Sequence, residues 1–221
     1  MFQAQVFTLY PEVFPGPLSK GLYGKAMSNK LWNLNVINIR DVATDKHKTV
    51  DDTPYGGGTG MLLKADVLAN ALDQNNKKGE RVFYLSPKGK KFDQKLALDL
   101  SKEKSISLIC GHFEGVDERV LTTRNIEEIS VGDYILSGGE TAALVVLDSI
   151  LRLLPGVLGN DKSSLDETFE NGLLEYPQYT KPQIWEEKSV PEGLLSGDNS
   201  KIKDWRLTQC EALTRDGRAD M

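Results

Sequence analysis

The sequence contains few of the residues on which disulfide, zinc and nucleophile chemistry depend. Of its 221 residues only two are cysteines, Cys110 and Cys210, and only two are histidines, His47 and His112. Neither cysteine belongs to a CxxC pair or has a histidine pair nearby, which argues against a zinc site or a disulfide and favours free cytosolic thiols. No serine or cysteine can be paired with a histidine from the sequence, so a nucleophilic triad is unsupported.

Long apolar runs and an excess of positive charge are also missing. No apolar stretch approaches the roughly 18–20 residues of a membrane span, and the N-terminus does not resemble a signal peptide, so a cytoplasmic location is predicted. The net charge of −5 argues against a protein that coats nucleic acid non-specifically. One segment, residues 77–95, is nevertheless basic, with seven lysines and arginines against two acidic residues. Such a run is either a solvated surface or a contact for a phosphate backbone.

Short apolar segments alternate with amphipathic segments along the first 154 residues. Strands are predicted at 3–9, 35–39, 81–86, 105–110 and 129–136, and helices at 18–30, 65–74, 92–102, 116–123 and 140–154. Strands separated by helices of about ten residues indicate βαβ units and a largely parallel, buried sheet. The predicted fold class is therefore α/β. After a long irregular segment, a helix at 199–215 indicates a small helical C-terminal domain.

Three of the predicted strands end in segments rich in glycine or other turn formers. These segments are YLSPKGKK from Tyr84, CGHFEGVDERV from Cys110 and ILSGGE from Ile135. Ligands of open parallel sheets bind outside the carboxyl ends of the strands, so the segments are expected to converge on one cleft lined mainly by main chain. Such a cleft suits a flat heterocycle such as adenine, whose edge forms hydrogen bonds with backbone groups. An ordinary helix cap is the alternative for each segment taken alone.

Two other segments carry charged groups in unusual surroundings. Residues 47–61, HKTVDDTPYGGGTGM, combine a histidine and two aspartates with three adjacent glycines. The glycines could cradle a phosphate and the aspartates could bind Mg²⁺, or all of them are solvated loop residues. Arg152 lies among leucines near the end of the last predicted helix of this region, and Asp166 and Glu167 follow about fifteen residues later. The arginine either caps helix carbonyls or meets a carboxylate at a cleft, where it polarises an oxygen and the carboxylate accepts a proton.

Six blocks of the sequence occur in the order and spacing of a known enzyme family. VDDTPYGGGTGM, YLSPKG, CGHFEGVDERV, VGDYILSGGE, LPGVLGN and GLLEYPQYTKP closely resemble the bacterial tRNA (guanine-N1)-methyltransferase family of the SPOUT class. The resemblance extends from about Phe7 to about residue 218. Enzymes of this family methylate the guanine on the 3′ side of the anticodon. Because the family's C-terminal domain normally continues further, the chain is expected to be shortened.

The resemblance implies a fold and an assembly that periodicity alone does not predict. It implies a SPOUT-type parallel sheet with a deep trefoil knot, and a homodimer in which both chains build each active site. The knot rests on the resemblance alone, because knotted chains are rare. The expected organisation is a knotted cofactor-binding domain over residues 1–158, an interdomain loop over 159–180 and a helical tRNA-binding domain over 181–221.

The resemblance also implies a methyl donor, S-adenosylmethionine, bound in a bent shape where the three glycine-rich segments meet. Glycines are expected wherever knotted strands and the ligand pass too close for a Cβ atom. Glu114 is expected near the methionine end of the donor. The complete set of expected ligands is Tyr84, Leu85, Ser86, Pro87, Gly111, Glu114, Gly115, Val131, Gly132, Asp133, Tyr134, Ile135, Leu136, Ser137, Gly138 and Gly139.

For the chemistry, the resemblance assigns Arg152 as the catalytic arginine and a carboxylate fifteen residues later as the general base. N1 of guanine is a poor nucleophile until its proton leaves, so a carboxylate must take the proton while a cation stabilises charge on O6. The family typically has aspartate where this chain has Glu167, and the additional methylene moves the carboxylate by roughly a bond length. Glu167 is the expected base and Asp166 the alternative. Help from Mg²⁺ is also expected, although the sequence shows no metal-ligand pattern.

For the RNA, the resemblance places Asp51, Gly58 and the rest of the 47–60 loop near the target base. It places the C-terminal helix, with Lys203, Arg206 and Arg215, on the anticodon arm. Two other functions stay open at this stage. One is an RNA-binding protein of the same fold that has lost catalysis, which the departure at Glu167 and the short C-terminus favour. The other is a nucleotide-binding α/β enzyme that uses the triglycine loop.

Overall fold

A computed structural model of the protein describes residues 1–76, 79–158 and 172–218. The chain divides into two compact units, Met1–Gly159 and Asn160–Met221. The first unit holds a parallel sheet and its covering helices, and the second holds a short hairpin and two helices. Within the described residues, no helix combines the length and the apolar character that crossing a membrane requires.

The elements of the first unit alternate along the chain much as predicted. Each predicted strand and helix has an observed counterpart, most of them within about three residues at either end. The strands are β1 Phe2–Thr8, β2 Trp32–Asn38, β3 Asp51–Asp52, β4 Leu62–Leu63, β5 Arg81–Lys91, β6 Ser105–Ile109 and β7 Glu127–Ser130. The helices are α1 Gly21–Ser28, α2 Ala65–Asn75, α3 Gln94–Ser101, α4 Glu118–Thr123 and α5 Glu140–Leu151. Short 3₁₀ turns occupy Pro11–Val13, Gly16–Ser19 and Ile39–Val42.

Five of these strands form one sheet in the order β2–β1–β6–β5–β7, and every adjacent pair is parallel. The predicted α/β class with a parallel central sheet is therefore confirmed. Helices cover both faces, which explains the nearly continuous apolar strands. On β5 the side chains alternate, because Phe83 and Leu85 pack with the α3 and α5 side, whereas Val82 and Tyr84 pack with the α2 and α4 side.

The pairing of β5 with β7 is interrupted at the point where the polypeptide loops out. Leu85 and Lys90 both lie opposite Ile129, so the four residues between them leave the ladder. At Gly89 the two backbones approach so closely that a Cβ atom would lie 2.3 Å from the Ile129 nitrogen. The four residues that loop out are the SPKG of the YLSPKG motif, and residues 84–87 of this motif form one side of the cleft described below.

Strand β7 is shorter than the sequence predicted. The expected strand continued to residue 136, but the structure ends it at Ser130. There the Ser130 hydroxyl donates to the Gly132 carbonyl at 3.1 Å and accepts from the Gly132 nitrogen at 3.3 Å. Gly132 has φ +155°, a backbone conformation that other residues rarely adopt. The apolar residues that follow are consequently a loop and not a continuation of the strand.

The second unit has its own small apolar centre around Trp205. It contains the hairpin β8 Ile184–Trp185 and β9 Lys188–Ser189, followed by α6 Glu192–Leu195 and α7 Asn199–Gly217. Helix α7 covers the helix predicted at 199–215, and the Asp198 carboxylate caps it by accepting from the Ser200 nitrogen at 2.9 Å. Gly193 packs so closely on the Trp205 ring that a Cβ atom would lie 2.9 Å from it. The expected boundaries at residues 158 and 180 stay a prediction.

Helix α3 offers a matched test of this packing, because Leu98 and Leu100 lie on opposite sides of it. Leu100 is 0% exposed and Leu98 is 43% exposed. We expect Leu100→Ala to lower the free energy of unfolding by about 2–5 kcal/mol, since it leaves a cavity in the core. The same substitution at Leu98 should change it by less than about 0.5 kcal/mol. Urea denaturation measures both, and equal losses would contradict the orientation of α3.

Candidate active site

A cleft of about 240 Å³ lies at the carboxyl-terminal edge of the parallel sheet. Its walls are residues 84–87, 111–115 and 129–139 except Asp133, together with Ala142. The three glycine-rich segments therefore converge, as the positions of the strand ends predicted. Every residue expected to hold the methyl donor lines this cleft apart from Asp133, which lies on the same loop but does not line it.

The Gly138–Gly139 turn packs the cleft wall of residues 129–139 against the wall of residues 111–115. The Gly139 nitrogen donates to the Gly111 carbonyl at 2.9 Å. A Cβ atom on Gly139 would lie 2.6 Å from the Cys110 Cα, a backbone atom that cannot move aside cheaply. With φ −78° and ψ −10°, Gly139 has an ordinary helical conformation. This position therefore needs glycine because two backbones touch, and not because of its dihedral angles.

A buried glutamate joins three elements beneath this turn. Glu140, the first residue of α5, is 7% exposed and accepts a hydrogen bond from the Thr8 hydroxyl at the end of β1. Its other oxygen lies 2.7 Å from Nε2 of His112, which follows β6. The Tyr10 ring packs on His112 with the ring centroids 4.9 Å apart. The carboxylate thus links the ends of β1 and β6 to the start of α5.

Sequence reasoning missed this cluster, although His112 lines the cleft. The available signal was a single glutamate directly after two glycines, and nothing in the sequence paired it with Thr8 or His112. The position of Gly138 is explained by the same cluster, because a Cβ atom there would lie 2.2 Å from the His112 ring. Phe113 lies within the predicted wall of residues 111–115, and the lining residues that were not predicted are Ile129, Ser130 and Ala142.

Tyr84, which lines the cleft, and Cys110, which is buried directly before a lining segment, both have raised pKa values. Burial, with a smaller contribution from the charge of Glu128, raises the pKa of Tyr84 to about 12. Burial also raises the pKa of the Cys110 thiol well above its usual value, with an additional contribution from Glu140. A thiol in this state is a poor nucleophile, so Cys110 is a packing residue. Polar recognition in the cleft therefore depends mainly on backbone groups.

The loop before β4 adjoins the cleft through Glu114. The Glu114 nitrogen donates to the Met61 carbonyl at 2.9 Å, and a Cβ atom on Gly60 would lie 2.5 Å from the Glu114 carboxylate. Phe113 has φ +61° although it is not glycine, which is a strained conformation of the kind that concentrates at functional sites. The glycine-rich segment of residues 47–61 is consequently next to the cleft wall that carries Glu114. Among the described residues, Glu114 is the only acidic residue that lines this cleft.

Comparison with known proteins agrees with this geometry. The family model described as tRNA (Guanine-1)-methyltransferase TrmD matches residues 2–221. The chain belongs to this methyltransferase family. The tRNA (guanine-N(1)-)-methyltransferase of Pelagibacter ubique is 78% identical over 221 residues, which are 100% of this chain and 97% of that protein. Those of Bartonella tribocorum and Rhizobium etli are 56% and 53% identical, over 100% of this chain and 94% and 95% of theirs.

The methyltransferase family resemblance was therefore correct, but the structure does not bring all expected site residues to the cleft. Arg152 directly follows the last residue of α5, and its nitrogen donates to the Asp148 carbonyl at 3.3 Å. The twelve residues of α5 span roughly 18 Å, so Arg152 lies at the far end of the helix from Glu140 and does not line the cleft. Asp166 and Glu167 lie outside the described residues.

The residues expected to bind tRNA lie in both units of the methyltransferase chain. Asp51 is in β3, opposite Leu63 of β4, and Gly58 is an exposed loop residue with φ +130°. Lys203, Arg206 and Arg215 are exposed on α7 of the second unit. Arg206 lies over the Tyr176 ring and Arg215 pairs with Asp216 at 3.2 Å. Among the described residues, no group of three or more His, Cys, Asp or Glu side chains could hold a metal ion.

The raised pKa of Tyr84 predicts a pH-dependent stability of this methyltransferase. Its folded-state pKa of about 12 exceeds the ordinary value of 10, so its contribution is fully present below about pH 10 and is lost as the pH rises towards 12. We expect this group to remove about 1.4 kcal/mol from the free energy of unfolding per pH unit in that window. Denaturation of wild type and Tyr84→Phe between those pH values measures the difference.

The fully exposed Tyr55 supplies the control for this measurement. The Tyr55→Phe variant should show the same pH dependence as wild type. If Tyr84→Phe also follows the wild-type curve, the Tyr84 hydroxyl ionises equally in the folded and unfolded chains. That result would mean that water solvates the hydroxyl in the folded chain.

Proposed function

We propose that the chain transfers a methyl group from S-adenosylmethionine to N1 of the guanine 3′-adjacent to the tRNA anticodon. The observation that carries this proposal is the convergence of three glycine-rich segments on one cleft, in a chain that matches the methyltransferase family over residues 2–221. A cytoplasmic location belongs to the same proposal.

The lining of the cleft supports binding of the methyl donor. At Gly111, Gly138 and Gly139 a Cβ atom would come within 2.6 Å of a neighbouring atom, so the walls leave backbone groups facing a shared space. Backbone N–H and C=O groups of residues 131–139 are suited to the edge of the adenine, and the Glu114 carboxylate is suited to the ammonium of the methionine end. When bound, the donor supplies an electrophilic methyl group on a sulfonium.

The acceptor chemistry is assigned to an arginine and a carboxylate. Removal of the N1 proton of guanine places negative charge on O6, so the reaction needs a base at N1 and a cation at O6. Glu167 is the proposed base, with Asp166 as the alternative, and Arg152 is the proposed cation. Help from Mg²⁺ belongs to the same proposal but is assigned to no residue, because no group of three or more His, Cys, Asp or Glu among the described residues could hold the ion.

The position of Arg152 supports a homodimer with shared active sites. Because the arginine lies roughly 18 Å along α5 from the cleft edge of its own chain, it is better placed to serve a cleft in a second copy. We therefore propose that Arg152 of the partner subunit completes each site. The proposal includes a deep trefoil knot, which is supported by the close backbone passages of Gly89 on β7 and Gly139 on Cys110.

The tRNA contacts follow from the same arrangement. Glu114 packs against Gly60, so the loop that carries Gly58 and the short strand that carries Asp51 adjoin the cleft where the target base would enter. Lys203, Arg206 and Arg215 of α7 are proposed to hold the anticodon arm. In this arrangement residues 1–158 form the catalytic domain, 159–180 the interdomain loop and 181–221 the tRNA-binding domain.

Methyl transfer to unmodified tRNA tests the proposal directly. Wild type should methylate a transcript with guanine 3′-adjacent to the anticodon and should not methylate one with adenine there. Arg152→Ala and Glu167→Gln should each lower kcat on the order of 100-fold or more, because each removes charge stabilisation or proton transfer. Affinity for S-adenosylmethionine, measured by calorimetry, should stay within about threefold of wild type.

The Asp166→Asn variant is the matched control for the base, and ATP is the control ligand for the cleft. Full activity of Glu167→Gln with loss of activity in Asp166→Asn would transfer the role of the base to Asp166. Binding of ATP without binding of S-adenosylmethionine would contradict the proposed function.

A mixed dimer tests whether each site uses residues of both chains. One chain would carry Arg152→Ala and the other Glu114→Ala, with different affinity tags so that only heterodimers are purified. If Arg152 serves the partner's cleft, one site has both intact residues, and activity should reach about half that of wild type. If Arg152 serves its own cleft, both sites are damaged and the heterodimer stays as inactive as either parent.

A further inference from the structure

The second unit contains a groove of about 540 Å³, and of its lining residues only Arg206 has a role in the proposed function. One side is the extended segment of residues 176–183, and the other is formed by α6 and one face of α7. Its floor is apolar, with Val190, Leu194 and Ile202. All of its lining residues belong to the second unit, so the groove exists independently of the cleft in the first unit.

Aromatic rings and a guanidinium group are arranged along the groove. The rings of Tyr176 and Tyr179 lie edge-on to Trp205, with centroids 6.5 Å and 6.2 Å away. The Arg206 guanidinium lies over the Tyr176 ring, 4.7 Å from its centroid. Tyr179 is 49% exposed although it is a large aromatic residue. The groove therefore offers a ring and a guanidinium that a flat ligand could contact.

The charge of the groove differs from that of the whole chain. The chain carries a net charge of −5, yet the described residues that line the groove include Lys181 and Arg206 and no aspartate or glutamate. Arg81, Arg119 and Arg124 each pair with a carboxylate at 2.8 Å or less. Arg206 instead lies over the Tyr176 ring. The groove is consequently complementary to an anionic ligand.

The remaining lining groups are side-chain amides and a hydroxyl. Gln178, Thr180 and Gln183 line the groove next to the aromatic residues. The Gln178 amide nitrogen donates to the Glu175 carboxylate at 2.5 Å, so its amide oxygen faces a ligand as an acceptor, whereas Thr180 and Gln183 can donate and accept. An apolar floor, π systems, amides and two cations together match a ligand with a flat apolar face, a polar edge and a nearby negative charge. A nucleotide has these properties, whereas a phosphate alone would not use the apolar floor or the rings.

We propose that this groove binds an unstacked base of the tRNA anticodon loop, other than the base that is methylated. The identity of the RNA rests on the proposed function. Single-stranded RNA is recognised by stacking on aromatic rings and arginine planes and by hydrogen bonds to base edges, which are the groups that the groove presents. Tyr179 stacks on the base, Lys181 and Arg206 face the adjoining phosphates, and the Gln183 amide and the Gln178 amide oxygen contact the base edge.

Tyr179→Ala in the full-length chain tests the stacking contact, with Tyr179→Phe as the matched control. We expect Tyr179→Ala to weaken binding of an unmodified tRNA transcript about tenfold and Tyr179→Phe to change it by less than about twofold. The slope of log Kd against log salt should be unchanged in Tyr179→Ala, since stacking neutralises no phosphate. Lys181→Ala should reduce that slope by about 1. Equal affinities of wild type and Tyr179→Ala would overturn the proposal.

Transcripts with one abasic position each in the anticodon loop identify the base. At one position other than the target, loss of the base should lower the affinity of wild type for the transcript about tenfold and leave the affinity of Tyr179→Ala unchanged. If, at every position, the loss of affinity from the missing base simply adds to the loss from Tyr179→Ala, the proposal is overturned. A change of oligomeric state in Tyr179→Ala at unchanged tRNA affinity would also overturn it, because the groove would then contact a second copy of the chain.

The two levels of the hypothesis fail differently. If wild type methylates no tRNA, the proposed methyl transfer is wrong, and the groove is judged by tRNA affinity alone. If wild type methylates tRNA and Tyr179→Ala binds and methylates it equally well, the groove proposal is wrong and the methyl transfer stands. Calorimetry with S-adenosylmethionine should give the same affinity in wild type and Tyr179→Ala, since the groove and the cleft share no residue.

Discussion

The contact of Gly139 with the backbone of Cys110 and Gly111 is the constraint on which the cleft depends. It consists of one hydrogen bond and of backbone atoms packed where a Cβ atom would lie 2.6 Å from Cα. Any larger residue at position 139 would separate the cleft wall of residues 129–139 from the wall of residues 111–115. Gly89 sets a similar limit between β5 and β7. Connecting loops that lie this close together bring backbone groups as well as side chains to the walls of the cleft.

The buried carboxylate of Glu140 complements this backbone contact. Burying a carboxylate is costly unless hydrogen bonds satisfy it, and here the Thr8 hydroxyl and His112 do so. The three residues come from the ends of three different elements, so their hydrogen bonds hold the rim of the cleft in one arrangement. Tyr84 and Cys110 stay protonated beside it. Specificity in such a cleft comes from shape and backbone groups more than from charge.

Recognition of a polyanion by a chain of net charge −5 requires local rather than global electrostatics. In the second unit the described residues that line the groove beside Trp205 include Lys181 and Arg206 and no acidic residue, and their other groups are aromatic, apolar, amide or hydroxyl. In the first unit several arginines form ion pairs with carboxylates, for example Arg81 with Glu127 and Arg124 with Asp73. In the proposed recognition, RNA is bound where cations and aromatic rings coincide, which limits non-specific association.

The sequence by itself determined the parallel α/β sheet, the convergence of the three glycine-rich segments and the family, because strand periodicity and motif order are local properties of the chain. Only the tertiary structure decided that β7 stops at Ser130, that Glu140 joins Thr8 to His112, and that Arg152 lies a helix length from the cleft. It also decided that Tyr179 and Lys181 line one groove with residues of α6 and α7. These features depend on contacts between residues that are distant in the chain, and neither hydrophobic period nor turn chemistry specifies which distant residues meet.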